Sequence, residues 1–157
     1  MLIPDAIKYA WTEGSASQNF VPIDIFDLQV DCSIVDSVCT HSKLFVSGTD
    51  TGTEIYGQVL DSQFQIGEYF LLLTNLNTGY DSSVEVTLLN KEYDLIAHQS
   101  LDHLPSTVQI HEIEIRSANS CDIFLSDGQT YRIRVKPFFL SVFWPLRSRP
   151  RLRIVRV

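Results

Sequence analysis

Residues 69–76 read YFLLLTNL, and this stretch decides the fold class. Successive side chains of a strand point to opposite faces of the sheet, so a strand with one wet face alternates apolar and polar residues. Here both alternating sets are largely apolar, which predicts a central strand covered on both faces. No apolar run in the chain approaches the length of a membrane-spanning helix.

Outward from this stretch the sequence keeps a period close to two. In residues 84–88, valine and leucine alternate with Glu85 and Thr87, which predicts a half-buried strand. Residues 48–54 are polar and glycine-rich and predict a loop. A change of phase at Ile25–Phe26 predicts a β-bulge.

The clearest turn lies in the last third of the chain. Asp127-Gly128 is the strongest hairpin signal in the sequence. The strand that follows alternates inward apolar residues with three outward bases, Arg132, Arg134 and Lys136. Residues 151–157 predict a final strand.

These elements make about nine or ten short strands at regular spacing. Such spacing favours an all-β fold, an antiparallel β-sandwich or jelly roll, over a closed barrel. The one helical candidate is residues 5–11, preceded by Pro4, which suits a first helical position. A chain of 157 residues fits a single all-β domain, residues 1–157.

The cysteines and the N-terminus bear on the compartment. The first residues carry neither an early positive cluster nor a long apolar segment, so no secretory signal is predicted. The three cysteines, Cys32, Cys39 and Cys121, are odd in number. This predicts reduced thiols in the cytoplasm, with a Cys32–Cys39 bridge as the alternative.

The charge is unevenly distributed along the chain. The net charge is −7, but residues 1–115 hold 17 acids and three bases, whereas residues 116–157 hold two acids and nine bases. No acid follows Asp127. Two interpretations stay open: the basic end packs on the acidic body and neutralises it, or it faces outward as an interaction surface.

The basic end also supplies the candidate partner-binding residues, an aromatic side chain followed by arginines: Trp144, Arg147, Arg149, Arg151, Arg153 and Arg156. Four alternatives fit this pattern. It is an edge strand guarded by arginines, a docking site for a protein, a phosphate-binding stretch, or a contact with an anionic membrane surface. The net acidity of the chain argues against general nucleic-acid binding.

A short string of loop residues carries one resemblance to a known family. Asp50-Thr51-Gly52-Thr53 resembles the active-site motif of the aspartic proteases. The resemblance implies that Asp50 shares a proton with a second aspartate, which would come from a dimer mate. That family has apolar residues before the aspartate, where this chain has Gly48-Thr49. The alternative is a solvated turn rich in threonine and glycine.

No other pattern predicts chemistry. Cys39 and His41 would share one face of a strand, but no pair of ligands has the spacing of a structural zinc site. The chain has no Gly-x-Ser-x-Gly elbow, no phosphate-cradling glycine loop and no dinucleotide fingerprint. We therefore predict no catalytic residue, no metal ligand and no cofactor.

The sequence thus favours a non-catalytic protein-interaction module with a charge-polarised surface. It would self-associate or act as an inhibitor or immunity-type protein, with acids such as Asp24, Asp27, Asp31 and Asp36 facing a basic partner. The alternatives are a viral or phage structural subunit and a dimeric hydrolase that uses Asp50.

Overall fold

The computed structural model describes residues 8–11, 20–30, 39–77, 81–105, 108–136 and 150–157. These residues form thirteen strands and no helix, which confirms the all-β prediction with more strands than the nine or ten expected. The strands are β1 Lys8–Trp11, β2 Phe20–Pro22, β3 Phe26–Val30, β4 His41–Val46, β5 Thr49–Tyr56, β6 Val59–Ile66, β7 Tyr69–Asn77, β8 Asp81–Leu89, β9 Leu95–Pro105, β10 Ile110–Ser117, β11 Ser120–Leu125, β12 Thr130–Lys136 and β13 Arg151–Arg156.

The strands form three sheets. The central sheet has the order β2-β6-β7-β8-β9, the C-terminal sheet has the order β1-β10-β11-β12-β13, and the three-stranded sheet has the order β3-β4-β5. All pairings are antiparallel except β1 with β10, which is parallel. The fold is therefore sandwich-like, with one more layer than a simple sandwich.

The central sheet is covered on both faces, as residues 69–76 predict. Leu71 and Leu73 of β7 belong to a large core shared with the C-terminal sheet, which contributes Ile113, Ile123 and Ile133 among others. Leu72, between them, belongs to a second core shared with the three-stranded sheet. All three leucines are fully buried. Adjacent residues of one strand thus pack into different layers.

The predicted N-terminal helix is wrong where the structure describes it. Residues 8–11 form β1, which pairs with β10 from Lys8 opposite Glu112 to Trp11 opposite Ile115. Tertiary pairing overrides a weak local helix signal in so short a segment. Residues 5–7 lie outside the described part of the chain.

The phase change at Ile25–Phe26 marks a change of sheet rather than a bulge. β2 pairs with β6 in the central sheet, and β3 pairs with β4 in the three-stranded sheet. The buried Gln63 side chain holds this crossover, because its Oε1 accepts from the N–H groups of Ile25 and Phe26 at 2.9 Å and its Nε2 donates to the Phe26 carbonyl. A glutamine amide satisfies the backbone groups that leave the ladder.

The loop predicted over residues 48–54 is also wrong. Only Ser47 and Gly48 form the turn, with positive φ angles of 50° and 80°, and β5 starts directly at Thr49. Two consecutive residues with positive φ match a hairpin turn whose twist suits the flanking strands. By contrast, the hairpin predicted at Asp127-Gly128 is confirmed, with Gly128 at a φ of 85°.

The strand predicted as half-buried, residues 84–88, is buried on both faces. Residues 82–89 of β8 are all buried, including Glu85 and Thr87. The alternation arises because one face of β8 meets the large core. The other face is turned toward β5 of the three-stranded sheet, where Glu85 contacts the polar side chains of His98 and Ser100 from the neighbouring strand β9.

Candidate functional site

Three of the five arginines predicted to bind a partner, Arg151, Arg153 and Arg156, lie on β13, which is at one edge of the C-terminal sheet in the part of the chain that the structure describes. Arg151 and Arg153 are exposed and alternate with the buried Leu152, so they point away from the core. The prediction of a final strand at residues 151–157 is confirmed by β13. Trp144, Arg147 and Arg149 lie outside the described residues.

A pair of bases on β12 extends this surface. Arg134 lies opposite Arg153, and Lys136 lies opposite Arg151, on the same outer face of the sheet. All four side chains are exposed. We call these four residues the cationic face.

The cationic face carries no compensating acid in the described part of the chain. None of its four residues makes an ion pair with another described residue. Like charges directly opposite on neighbouring strands destabilise a sheet. The repulsion between these paired bases therefore lowers the stability of the C-terminal sheet.

A neighbouring group of arginines on the same sheet is structural. Arg132 holds the buried Asp122 through two hydrogen bonds of 2.6 and 2.8 Å, and Arg116 holds it at 2.7 Å and also contacts Glu114. The hydrogen bond from Arg132 is the main reason that the pKa of Asp122 lies below its usual value. Arg116 and Arg132 are thus paired with acids of the same sheet, whereas the four bases of the cationic face form no ion pair with a described acid.

Arg156, the last arginine of β13, points to the other side of the strand. It lines a cavity of about 270 Å³ between the edge strands β9 and β13. The remaining lining residues are Gln99, Ser100, Leu101, Tyr131 and Ile154. Arg156 is therefore not part of the surface formed by Arg151 and Arg153.

A buried carboxylate was missed by the sequence analysis. Glu85 is 3% exposed, and its Oε2 lies 2.6 Å from Nε2 of His98. Its Oε1 accepts from the hydroxyls of Ser83 and Ser100. Thr87, next on the same face of β8, has a buried hydroxyl that makes no hydrogen bond with any other described residue. The signal that could have revealed this cluster is an acid on a strand with a serine two residues before it and a threonine two residues after it.

His98 also joins two layers. Its ring stacks on Tyr56 of the three-stranded sheet at a centroid distance of 4.4 Å and an angle of 14°. Tyr56 in turn contacts the ring of His41 at 4.1 Å. The Glu85 carboxylate and the stacked rings thus connect the central sheet to the three-stranded sheet through polar and aromatic contacts.

Two candidates for chemistry remain from the sequence, Asp50 and a metal site. Asp50 is exposed near the start of β5, and its Oδ1 accepts from the Gly52 N–H. Among the residues that the structure describes, no group of three or more His, Cys, Asp and Glu side chains could hold a metal ion.

The cysteines differ from the prediction of three reduced thiols. Cys39 is disulfide-bonded. Cys121 is free and fully buried, and burial raises the pKa of its thiol. The prediction is therefore wrong for Cys39, which cannot offer a thiolate to a metal in this state.

Asp61 lies in the part of β6 where the register with β7 shifts. Burial raises the pKa of its carboxyl from 3.8 to about 6. The folded protein thus holds this proton more tightly than the unfolded chain, so stability falls as the pH rises from about 4 to 6.

We expect Asp61→Asn to raise the free energy of unfolding by up to about 3 kcal/mol at pH 7 and by little at pH 4. Urea unfolding of both proteins at the two pH values measures this. Asp94→Asn, at an exposed position, is the control. An equal effect of Asp61→Asn at both pH values would contradict the assignment.

None of the described residues belongs to a helix long and apolar enough to cross a membrane. No protein-family model, curated protein or solved structure matches the chain.

Proposed function

We propose that the protein is a non-catalytic interaction module that docks an acidic partner protein on its cationic face. The observation that carries the proposal is the pairing of Arg134 with Arg153 and of Lys136 with Arg151 in direct register, all four exposed. Clustered cations that form no ion pair with a described acid attract a surface of opposite charge and accelerate encounter with it.

Protection of a sheet edge accounts for only half of the cationic face. Charged side chains on an edge strand prevent pairing with other chains, and Arg151 and Arg153 of β13 meet that need. β12, however, is an interior strand, flanked by β11 and β13. Arg134 and Lys136 therefore protect no edge, and an external anionic partner explains their placement.

The cationic face favours a protein over a nucleic acid. Its four bases form a compact cluster on two strands, and the chain as a whole carries a net charge of −7. Long-range repulsion from that net charge opposes a polyanion that extends beyond the cluster. A folded acidic partner that contacts only the cluster experiences less of this repulsion.

Fluorescence anisotropy with labelled poly-L-glutamate as the probe tests this proposal. We expect binding that weakens between 50 and 300 mM NaCl, because salt screens exposed charges. The R134Q/K136Q/R151Q/R153Q variant should bind about tenfold more weakly or worse, since each exposed pair contributes up to about 1 kcal/mol.

Lys91→Gln is the matched control, because Lys91 is exposed and lies on the β8–β9 turn, away from the cationic face. Equal losses in the control and in Arg153→Gln would show attraction to any positive charge and overturn the proposal. Tighter binding of single-stranded poly(dT) than of poly-L-glutamate would assign the face to nucleic acid instead.

A further inference from the structure

The three-stranded sheet carries a surface of opposite sign. Asp27 of β3 and Asp50 and Glu54 of β5 are exposed. Asp27 and Asp50 both lie opposite Phe45, and Glu54 lies opposite Lys43. We call Asp27, Asp50 and Glu54 the acidic face; the exposed Asp24 precedes it, whereas Asp31 and Asp36 lie outside the described residues.

The acidic face points away from the central sheet. Phe26, Leu44 and Ile55 of the three-stranded sheet pack with Leu72 and Leu89 of the central sheet. Asp27 and Glu54 each neighbour one of these buried residues along the strand. Because side chains alternate along a strand, the acids lie on the outer surface.

The cationic face points in the opposite direction. Ile133, Val135 and Leu152 of the C-terminal sheet pack into the large core on the other side of the central sheet. Arg134 and Arg153 neighbour these residues along β12 and β13 and are exposed. The acidic and cationic faces therefore lie on the two opposite outer surfaces of a three-layer stack.

We propose that the acidic partner is a second copy of this chain, whose acidic face docks on the cationic face. This inference rests on the proposed function and names its partner. Both surfaces are formed by antiparallel strand pairs, and their charges are complementary. The acidic face holds three acids around one base, Lys43, and the cationic face holds four bases.

The placement of the two faces determines the type of assembly. A two-fold dimer formed through the cationic face would bring that face of one copy onto the same face of the other, which like-charge repulsion opposes. Contact between different surfaces is heterologous, and it repeats unless the rotation between copies closes a ring. With the surfaces on opposite sides of the molecule, each added copy presents a fresh face, so the copies form a row.

Two neutralised variants separate the faces. D27N/D50N/E54Q keeps the cationic face, and R134Q/K136Q/R151Q/R153Q keeps the acidic face. The amide in D50N retains an oxygen that can accept from Gly52 N–H, as Asp50 does. The variants carry neutral side chains and not reversed charges. Charge reversal would give one variant two cationic faces and the other two acidic faces, so a mixture of the two would again form a row.

Sedimentation velocity at 100 and 500 mM NaCl provides the measurement. We expect wild-type protein to form species larger than a dimer as its concentration rises to about 1 mM at the lower salt, and each variant alone to remain monomeric. An equimolar mixture of the two variants should form a 1:1 dimer that grows no further. Formation of this dimer also demonstrates that both variants are folded.

Three results would overturn the inference: a wild-type protein that stays monomeric, one that stops at a dimer, or a variant mixture without a 1:1 complex. Binding of poly-L-glutamate by a monomeric wild-type protein would leave the cationic face as a docking site for another acidic protein. Loss of poly-L-glutamate binding would instead remove the proposed function itself.

Discussion

Replacing either Leu72 or Leu73 by alanine is expected to lower the free energy of unfolding by about 2–5 kcal/mol. Both side chains are fully buried, although they are neighbours on β7 and point to opposite faces. In a two-layer sandwich with one wet face, only one of two such neighbours would be sensitive. Equal sensitivity of both positions is therefore a signature of the third layer, and urea unfolding of the two variants measures it.

Leu95→Ala is the control for this pair. Leu95 is a leucine on a strand of the same sheet, and it is 45% exposed. We expect its replacement to change the free energy of unfolding by about 0.5 kcal/mol or less. If Leu72→Ala behaved like this control, the three-stranded sheet would not cover the central sheet.

A double-mutant cycle with Leu44 assigns each leucine to its layer. Leu44 and Leu72 belong to the same core, whereas Leu73 belongs to the other. We expect a coupling energy of at least about 0.5 kcal/mol between Leu44→Ala and Leu72→Ala, and additivity between Leu44→Ala and Leu73→Ala. Coupling of Leu44 with both leucines would contradict two separate cores.

Sequence patterns predicted the features that depend on neighbouring residues in the chain. The run at residues 69–76 is apolar at both parities, so its burial on two faces follows from its own composition. The turn at Asp127-Gly128 is equally local, because the glycine supplies the positive φ that the turn requires. The outward direction of Arg134 and Lys136 followed from alternation alone.

Features that depend on distant pairing were not predictable from those patterns. The alignment of Arg134 with Arg153 is set by the register of β12 and β13, whose strands are separated by residues 137–150. The burial of Glu85 depends on the layer formed by β3, β4 and β5. A polar residue on alternate positions looks the same in the sequence whether it faces water or a polar interface.

Replacing Glu85 by alanine is expected to lower the free energy of unfolding by about 3–5 kcal/mol. The carboxylate is 3% exposed and accepts hydrogen bonds from Ser83 and Ser100 while it contacts His98. Its removal takes this acceptor away from the buried Ser83 hydroxyl and from the partly buried Ser100 and His98. A buried polar group that loses its partner costs more free energy than the hydrogen bond contributes. Thermal or urea unfolding measures the effect.

Glu85→Gln separates the contribution of the hydrogen bonds to stability from the contribution of side-chain packing, because glutamine has nearly the same size as glutamate. The amide keeps one oxygen for the two serines, but it presents an N–H donor to His98 in place of the second oxygen. We expect an intermediate loss of about 1–2 kcal/mol. Glu114→Ala is the control, since Glu114 is a partly exposed acid whose partner Arg116 keeps its contact with Asp122. A loss in Glu85→Ala no larger than in this control would show that the carboxylate is dispensable.

Glu85→Ala should lower the local stability of the three-stranded sheet more than that of the other two sheets. Glu85 holds the ring of His98, and that ring stacks on Tyr56 at the end of β5. Hydrogen exchange reports such local opening, because amides that exchange by partial unfolding are sensitive to the stability of their own segment. We expect the Gly57 N–H, which donates to the Thr40 carbonyl beside this stack, to exchange faster in Glu85→Ala than the Val135 N–H, which donates to Asn119 within the C-terminal sheet. Equal acceleration at both amides would mean that Glu85 stabilises the whole domain and does not fasten the three-stranded sheet in particular.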